Sequence, residues 1–267
     1  MSISSDTVRC GSFSMDYLRF GSGSQSLVIL PGLSVKSVME SVDAIAEAYA
    51  VMTERYTVYL FDRRRELPPV YPISDMAADT AEAMKTLGLS YVDMFGASQG
   101  GMIAMEMAVR YPDMIRMLAL GSTASDTRGM RSAAIERWVS LARSGDREAL
   151  WLDFGAVLYP QDVMEQIKSQ LIIAAQATTD EELERFIVLA TGTEGFSVTE
   201  KLDRIKCPVL LLNSDDDRVL GPDAADDIAR AFAGRSDFEC FTYHGFGHAA
   251  YDSAPDYKER LLDFFRG

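Results

Sequence analysis

The eleven residues 91–101, YVDMFGASQGG, decide the fold of this chain of 267 residues. They combine an apolar run that ends at Phe95, a turn of small residues around Ser98, and a helical pattern that follows at once. An apolar run without alternation is typical of a strand that is covered on both faces. The segment therefore predicts a buried strand, a sharp turn and a helix in immediate succession.

The same alternation of apolar runs and helical patterns recurs along the chain. Further predicted strands lie at about 13–20, 27–30, 58–61, 115–120, 208–212 and 238–243. Further helices are predicted over 102–111 and 254–265. One more is predicted to start after Ser74 as its N-cap, and another to have Pro222 in its first turn. Strand–helix alternation favours parallel pairing with right-handed crossovers. We predict an α/β fold with a mostly parallel central sheet and helices on both faces.

Residues 126–201 depart from this pattern, because they contain helical patterns and no predicted buried strand. Two spacings of the capping-box type occur there, Thr179–Glu182 and Ser197–Glu200. We predict that residues 1–125 and 202–267 form the α/β core and that residues 126–201 form an inserted helical cap. The large apolar residues of this cap include Trp138, Trp151, Phe154, Leu158, Tyr159, Ile172, Phe186 and Leu189.

Charge and composition restrict the class of partner. The net charge of −14 argues against nucleic acid, because a phosphate backbone requires clustered Lys and Arg. The chain has no apolar stretch of the roughly 20 residues that a membrane span requires, and its first residues lack the apolar core of a signal peptide. Three scattered cysteines (Cys10, Cys207, Cys240) favour neither a disulfide framework nor a metal site. We expect a cytoplasmic protein with a small-molecule substrate, no cofactor and no metal; the sequence leaves the oligomeric state open.

The turn around Ser98 has the pattern G-x-S-x-G, with Gly96 and Gly100 on either side of the serine. A serine on such a turn is lifted above the sheet, and the helix behind it directs free N–H groups and a favourable dipole at the site. Five residues of this kind also arise by chance in tight strand–helix turns, but the flanking strand and helix favour a nucleophile. We predict that Ser98 is the nucleophile.

A serine nucleophile requires a base, and the chain has two histidines, His244 and His248. His248 follows the last predicted strand in a loop, whereas His244 lies at the edge of that strand, so we predict His248 as the base. Aspartates 215–217 follow the preceding predicted strand, and one of them is expected to orient the imidazole, although a solvated acidic loop would have the same composition. The main-chain N–H groups of Gln99 and Leu33 are the predicted donors to an oxyanion.

Several segments together resemble the α/β-hydrolase superfamily, in particular its members with a helical cap. They are Leu30-Pro31-Gly32, GASQGG at 96–101, SDDDRV at 214–219 and the ending that starts GFGHAAYDSAP at 245–255. Family members often have G-x-x-D in the acid loop. That register implies Asp217 as the acid, with Ser214 in place of the glycine; Asp215 is the second choice.

Two segments depart from the family pattern. Relatives commonly have His-Gly where this chain has Pro31-Gly32. Because the oxyanion donor is a main-chain N–H, we expect it to be retained despite this difference. The glycine-rich turn that many relatives carry after the next strand is replaced at 62–69 by DRRRELPP. We expect arginines 63–65 to form a solvated surface turn rather than an anion-binding edge.

The resemblance implies a hydrolase, and a serine nucleophile disfavours the dehalogenase and epoxide-hydrolase branches. We expect hydrolysis of a small, mostly apolar carboxylic ester or related acyl compound through an acyl-enzyme on Ser98. A carbon–carbon-bond hydrolase or a cofactor-free peroxidase-like activity is the alternative on the same fold. A small-molecule receptor without turnover is the alternative from another class.

Overall fold

The structure, a computed structural model, describes residues 3–128 and 132–267. The strands are β1 (Ile3–Cys10), β2 (Phe13–Phe20), β3 (Gln25–Leu30), β4 (Tyr56–Arg64), β5 (Val92–Ala97), β6 (Ile115–Gly121), β7 (Val209–Ser214) and β8 (Phe238–Tyr243). The α-helices are α1 (Val42–Ala48), α2 (Ile73–Thr86), α3 (Gln99–Arg110), α4 (Ala133–Ser144), α5 (Arg147–Leu158), α6 (Gln161–Ala177), α7 (Asp180–Thr191), α8 (Asp226–Phe232), α9 (Ala250–Ser253) and α10 (Tyr257–Arg266). Short 3₁₀ helices lie at Val38–Ser41, Ala50–Met52, Pro112–Met114 and Thr199–Arg204.

All eight strands belong to one sheet with the order β1-β2-β4-β3-β5-β6-β7-β8. The pairs β1–β2 and β2–β4 are antiparallel, and every other neighbouring pair is parallel. Because the carboxyl ends of β3 and β5 to β8 lie at the same edge, the loops that follow them meet there. The predicted α/β fold with a mostly parallel sheet is confirmed.

Helices cover both faces of the sheet, and the strands contribute side chains to the hydrophobic cluster on each face. Adjacent residues of a strand point to opposite faces. Val28 and Met94 are buried in the cluster that contains residues of α2, α3 and α8, whereas their neighbours Leu27 and Phe95 are buried with residues of α1 and α10. Burial on both sides is the reason that these central strands are apolar at nearly every position.

Helices α4 to α7 follow β6 and precede β7. Between these strands the described residues form no further strand, and the bridge between Asp126 and Ser197 is an isolated pair. The capping box at Thr179 is confirmed, since its side chain and that of Glu182 each accept a main-chain N–H of the other residue. The division into a core and a cap at residues 126 and 201 stays a prediction. Residues 129–131 of the predicted cap and residues 1–2 of the predicted core lie outside the described residues.

The predicted capping box at Ser197 is wrong. The Ser197 hydroxyl donates to the carboxylate of Asp126 at 2.9 Å, and a 3₁₀ helix begins only at Thr199. Ser74 is not an N-cap either, because it lies within α2. That helix begins at Ile73, directly after the extended residue Pro72. In both segments a contact or a proline outside the motif sets the start of the helix.

Three other helix starts differ from the predictions. The helix after Ser98 begins at Gln99 instead of residue 102, and the one after Pro222 begins at Asp226. The last helix, predicted from residue 254, begins at Tyr257 instead, because Ala254 precedes a proline and is extended, with φ −78° and ψ 126°; the short helix α9 ends just before it. The residue before a proline is disfavoured in the helical region, so a new helix starts further on.

Strand β1 was not predicted from the sequence. It lies at the edge of the sheet, and its first four residues are exposed. An exposed edge strand has no need of an apolar pattern, so the composition of residues 3–10 gave little indication of it.

Candidate active site

Ser98 lies between the buried strand β5 and helix α3. Its backbone has φ 52° and ψ −119°, a conformation that residues other than glycine rarely adopt. Its N–H donates to the Gly121 carbonyl at 2.8 Å, and its own carbonyl accepts from the Thr123 hydroxyl at 2.8 Å. Backbone strain of this kind persists only where the surroundings hold the residue in place. The two hydrogen bonds to the end of β6 and the loop behind it do so here.

Gly96 and Gly100 permit the close approach of three backbone segments. A Cβ on Gly96 would lie 2.4 Å from the Gly100 carbonyl oxygen, and a Cβ on Gly100 would lie 2.0 Å from the Leu30 carbonyl oxygen. Both distances are far below van der Waals contact. The turn therefore requires glycine at both positions, as the sequence pattern predicted.

His248 lies in the loop after β8 and joins Ser98 to Asp217. Its Nε2 is 2.9 Å from Ser98 Oγ, and its Nδ1 is 2.7 Å from Asp217 Oδ2. A carboxylate is an acceptor, so Nδ1 carries the proton and Nε2 is free to accept from the serine hydroxyl. The side chains of His248 and Asp217 are 3% and 5% exposed.

The Asp217 carboxylate is itself held in place. Its Oδ1 accepts the main-chain N–H groups of Val219 and Leu220, at 2.8 and 2.9 Å, which leaves Oδ2 for the imidazole. A carboxylate with three hydrogen bonds has a fixed orientation, so the imidazole that it contacts is fixed as well.

The other two aspartates of the acid loop contact different groups. Asp215 contacts the Nδ1 of His244 at 2.6 Å on the protein surface. Asp216 accepts the N–H of Gly247 and the hydroxyl of Ser214. The structure thus brings the first choice for the acid to His248, and it brings neither the second choice, Asp215, nor the second histidine to Ser98.

The two predicted oxyanion donors lie at the same pocket as Ser98, which Leu33 and Gln99 both line. Gln99 is the first residue of α3, so its main-chain N–H has no acceptor within the helix. Leu33 follows Gly32, where an added Cβ would lie 3.3 Å from Ser98 Cβ. The loop that contains Leu33 is therefore next to Ser98, and the Gln99 N–H lies at the positive end of the α3 dipole.

A buried polar network behind the pocket was missed by the sequence analysis. Arg63 is 5% exposed, and its Nη2 donates to the Pro31 carbonyl at 2.7 Å and to Gln99 Oε1 at 3.1 Å. The Gln99 side-chain amide in turn donates to the Leu189 carbonyl of α7 at 2.6 Å. Burial lowers the pKa of the Arg63 guanidinium to about 10, and Asp62 beside it offsets part of that effect. The network connects the loop before Leu33, the start of α3 and helix α7.

The expectation of a solvated turn at arginines 63–65 is therefore wrong for two of the three residues. Arg63 and Arg64 are the last residues of β4, and Arg64 pairs with Asp79 of α2 at 3.2 Å. Arg65 alone is well exposed, with an ion pair to Asp16. Strand β4 extends further than its apolar run, because these arginines find hydrogen-bond acceptors inside the fold.

The pocket at Ser98 is narrow and mostly apolar, with about 20 Å³ of free space. Of the apolar cap residues named from the sequence, Trp138, Phe154 and Leu158 line it. A second, more polar cavity of about 530 Å³ adjoins it, and four residues line both: Met102, Ile135, Thr193 and Leu220. Tyr251, which the sequence analysis did not single out, also lines the inner pocket.

Within residues 3–128 and 132–267, no group of three or more His, Cys, Asp or Glu side chains is arranged to hold a metal ion. Over the same residues, no helix is both long and apolar enough to cross a lipid bilayer.

The sheet topology and the serine turn between β5 and α3 are typical of one class of enzymes, the hydrolases. A family model described as the alpha/beta hydrolase fold matches residues 25–255, and the chain belongs to that family. The predicted membership is confirmed.

Curated and solved relatives agree with this assignment. The chain is 25% identical over 224 residues to a protein named carbamate hydrolase RutD from Caulobacter vibrioides. The aligned region covers 81% of this chain and 82% of that protein. The crystal structure of MGS-M2, an alpha/beta hydrolase enzyme from a Medee basin deep-sea metagenome library, superimposes with a TM-score of 0.85 at 22% identity, over 98% of each chain. The enol-lactonase from Burkholderia xenovorans LB400 gives a TM-score of 0.82 at 18% identity, over 98% of this chain and all of the enol-lactonase. The two solved structures support the fold alone.

Proposed function

We propose that this hydrolase cleaves a small, mostly apolar carboxylic ester or related acyl compound through an acyl-enzyme on Ser98. The observation that carries the proposal is the buried chain of hydrogen bonds from Ser98 through His248 to Asp217, at 2.9 and 2.7 Å. A nucleophile within hydrogen-bond reach of a base, with that base oriented by a carboxylate, is the arrangement that acyl transfer to serine requires.

In the proposed reaction Ser98 Oγ attacks the acyl carbon while His248 Nε2 takes its proton. Asp217 stabilises the imidazolium that forms, and the N–H groups of Gln99 and Leu33 receive the negative charge on the carbonyl oxygen. The imidazolium then protonates the leaving group as the tetrahedral intermediate collapses. A water molecule, activated by the same imidazole, hydrolyses the acyl-serine and restores the enzyme.

The dimensions of the pocket support a small acyl group. The space beside Ser98 is narrow and lined by Trp138, Phe154 and Leu158, so a short apolar acyl chain fits it better than a long or charged one. The adjoining cavity has room for a larger leaving group. Carbamates and lactones, named for the two relatives above, belong in the substrate panel because both contain a carbonyl group open to the same attack.

The test is turnover of p-nitrophenyl acetate and butyrate by the wild-type protein and by Ser98→Ala. We expect wild-type hydrolysis, with a fall in kcat of at least about 10⁴-fold in the variant. A fluorophosphonate probe should label the wild type at Ser98 and leave the variant unlabelled. A wild-type protein that is inert towards esters, lactones, carbamates and thioesters, and that the probe does not label, would refute the proposal and favour a binding protein without turnover.

Intact-mass measurement during turnover separates acyl transfer to serine from other chemistry on this fold. With p-nitrophenyl acetate, we expect a transient mass increase of one acetyl group that disappears when the substrate is exhausted. Turnover without any such adduct in rapid-quench samples would count against the acyl-enzyme.

A further inference from the structure

Tyr251 lies three residues after His248, in the short helix α9, and its side chain lines the pocket at Ser98. Its ring meets that of His248 edge to face, with centroids 6.3 Å apart and planes at 81°. The ring also packs against both hydrophobic clusters of the core. A ring held from several sides presents its hydroxyl in a fixed direction.

The hydroxyl of Tyr251 is next to the loop that carries the Leu33 N–H. A Cβ placed on Gly32 would lie 3.5 Å from this hydroxyl and 3.3 Å from Ser98 Cβ. The phenol and the serine therefore flank the same glycine, one residue before the predicted oxyanion donor. This is the side of the serine on which the carbonyl oxygen of a substrate would lie.

No protein group pairs with this hydroxyl within the described residues; Lys258 donates to the main-chain carbonyl of Tyr251 and not to its side chain. The polar side chains of Gln99 and Asp217 at the same site are hydrogen-bonded. Tyr251 is partly exposed and lines the pocket, so its hydroxyl can reach the open space beside Ser98. An unpartnered donor in a substrate pocket is available to the substrate.

Burial, reinforced by the negative charges of Asp252 and Asp217, raises the pKa of the Tyr251 phenol well above its ordinary value. The phenol therefore keeps its proton throughout the pH range in which an imidazole can act as a base. A neutral O–H can donate to a negatively charged oxygen in that range, whereas a phenolate could not.

We propose that the Tyr251 hydroxyl donates a hydrogen bond to the oxyanion, as a third donor beside the N–H groups of Gln99 and Leu33. This inference rests on the proposed acyl transfer at Ser98 and adds a catalytic residue to it. A donor that strengthens its contact as charge develops on the oxygen lowers the barrier without tightening the binding of the ester itself.

Tyr251→Phe removes the hydroxyl and retains the ring. We expect kcat for p-nitrophenyl butyrate to fall about 100-fold, the scale measured for single oxyanion donors, with KM changed less than about threefold. A trifluoromethyl ketone provides the second readout. Ser98 Oγ adds to its carbonyl carbon, the proton passes to His248, and the ketone oxygen becomes the oxyanion. Its inhibition constant should rise by about the same factor as kcat/KM falls.

Tyr257→Phe is the matched control. It also removes one phenolic hydroxyl without a protein partner among the described residues, but this hydroxyl is fully buried, and the residue lies in α10 and does not line the pocket. Its kcat and its affinity for the ketone should stay within about twofold of the wild type. Circular dichroism and the midpoint of urea unfolding of both variants exclude a general loss of structure as the cause.

Three results would overturn the inference. They are a Tyr251→Phe variant with unchanged kcat, a variant in which KM alone rises, and a variant that loses kcat while retaining wild-type affinity for the ketone. Failure of the underlying proposal is distinguishable, because the wild type would then neither hydrolyse the ester nor form a ketone adduct at Ser98. An active wild type with an equally active Tyr251→Phe variant refutes only the role of the phenol.

Discussion

His248 and His244 each contact an aspartate of the same three-residue run, with nearly the same geometry. The distance from Nδ1 to the carboxylate is 2.7 Å for His248 and Asp217, and 2.6 Å for His244 and Asp215. Their surroundings differ. The side chains of the first pair are 3% and 5% exposed, and those of the second are 76% and 49% exposed. In addition, only His248 has a serine hydroxyl at its other nitrogen.

The difference shows what a histidine–aspartate contact needs in order to support catalysis. Water screens the exposed pair, so the contact restricts the imidazole of His244 only weakly. The buried pair lies in a medium of low effective dielectric, where a fixed carboxylate can orient the ring and stabilise its charged form. Burial and a third partner, more than the length of the hydrogen bond, therefore distinguish the candidate base from a surface histidine.

The sharpest way to break this comparison is to remove the buried imidazole. His248→Ala should lower kcat for p-nitrophenyl butyrate by about 10⁴- to 10⁶-fold, because the serine hydroxyl loses the group that takes its proton. His244→Ala, assayed in parallel, should remain close to the wild type. If the two variants lost activity equally, the assignment of His248 as the base would be wrong.

The next largest effect is expected at the acid. Asp217→Asn keeps the size of the side chain and can still accept from Val219 and Leu220, but it favours the wrong tautomer of His248. We expect kcat to fall about 10⁴-fold, which steady-state assays at high enzyme concentration can measure. Asp215→Asn is the matched control from the same loop and should keep full activity. An inactive Asp215→Asn beside an active Asp217→Asn would reverse the assignment of the acid.

How much of this arrangement could be predicted from the sequence differs from residue to residue. Ser98 was predicted because a strand, a glycine-flanked turn and a helix are contiguous in the chain. His248 was predicted because the chain has two histidines and this one follows the last predicted strand in a loop. The residues alone did not distinguish Asp217 from Asp215; the register of related sequences did, and the structure then brought Asp217 to His248. The catalytic roles of all three stay predictions until they are measured.

Arg63 and Tyr251 illustrate what the sequence did not reveal. The partners of Arg63 are Pro31 and Gln99, each more than thirty residues away in the chain, and no local pattern indicates such contacts. Tyr251 lies between His248 and the helix predicted over 254–265, and no local pattern distinguished it. The central strands were predictable for the opposite reason: burial on both faces leaves its mark on consecutive residues, whereas the exposed edge strand β1 carries no such mark.

Asp216, between the two pairs, is expected to have an intermediate effect. Both of its carboxylate oxygens accept the buried N–H of Gly247, at 3.0 Å, directly before His248. In Asp216→Ala that N–H loses its partner, which should lower the free energy of unfolding by about 1–3 kcal/mol and kcat by roughly tenfold as the imidazole loses its exact position. Urea unfolding and steady-state kinetics measure the two effects. Unchanged stability would show that the loop does not depend on this carboxylate.

The smallest effect, and the closest test of the comparison, concerns the exposed pair. His244→Gln and Asp215→Asn, alone and together, should leave kcat/KM within about twofold of the wild type. A double-mutant cycle on urea unfolding should give a coupling free energy below about 1 kcal/mol. The coupling should also shrink as NaCl is raised from 0.1 to 1 M, because the screening length falls from about 10 to 3 Å. The contradicting result is a large coupling free energy that salt does not change. The exposed contact would then contribute as much as a buried one, and burial would not be the property that distinguishes His248 from His244.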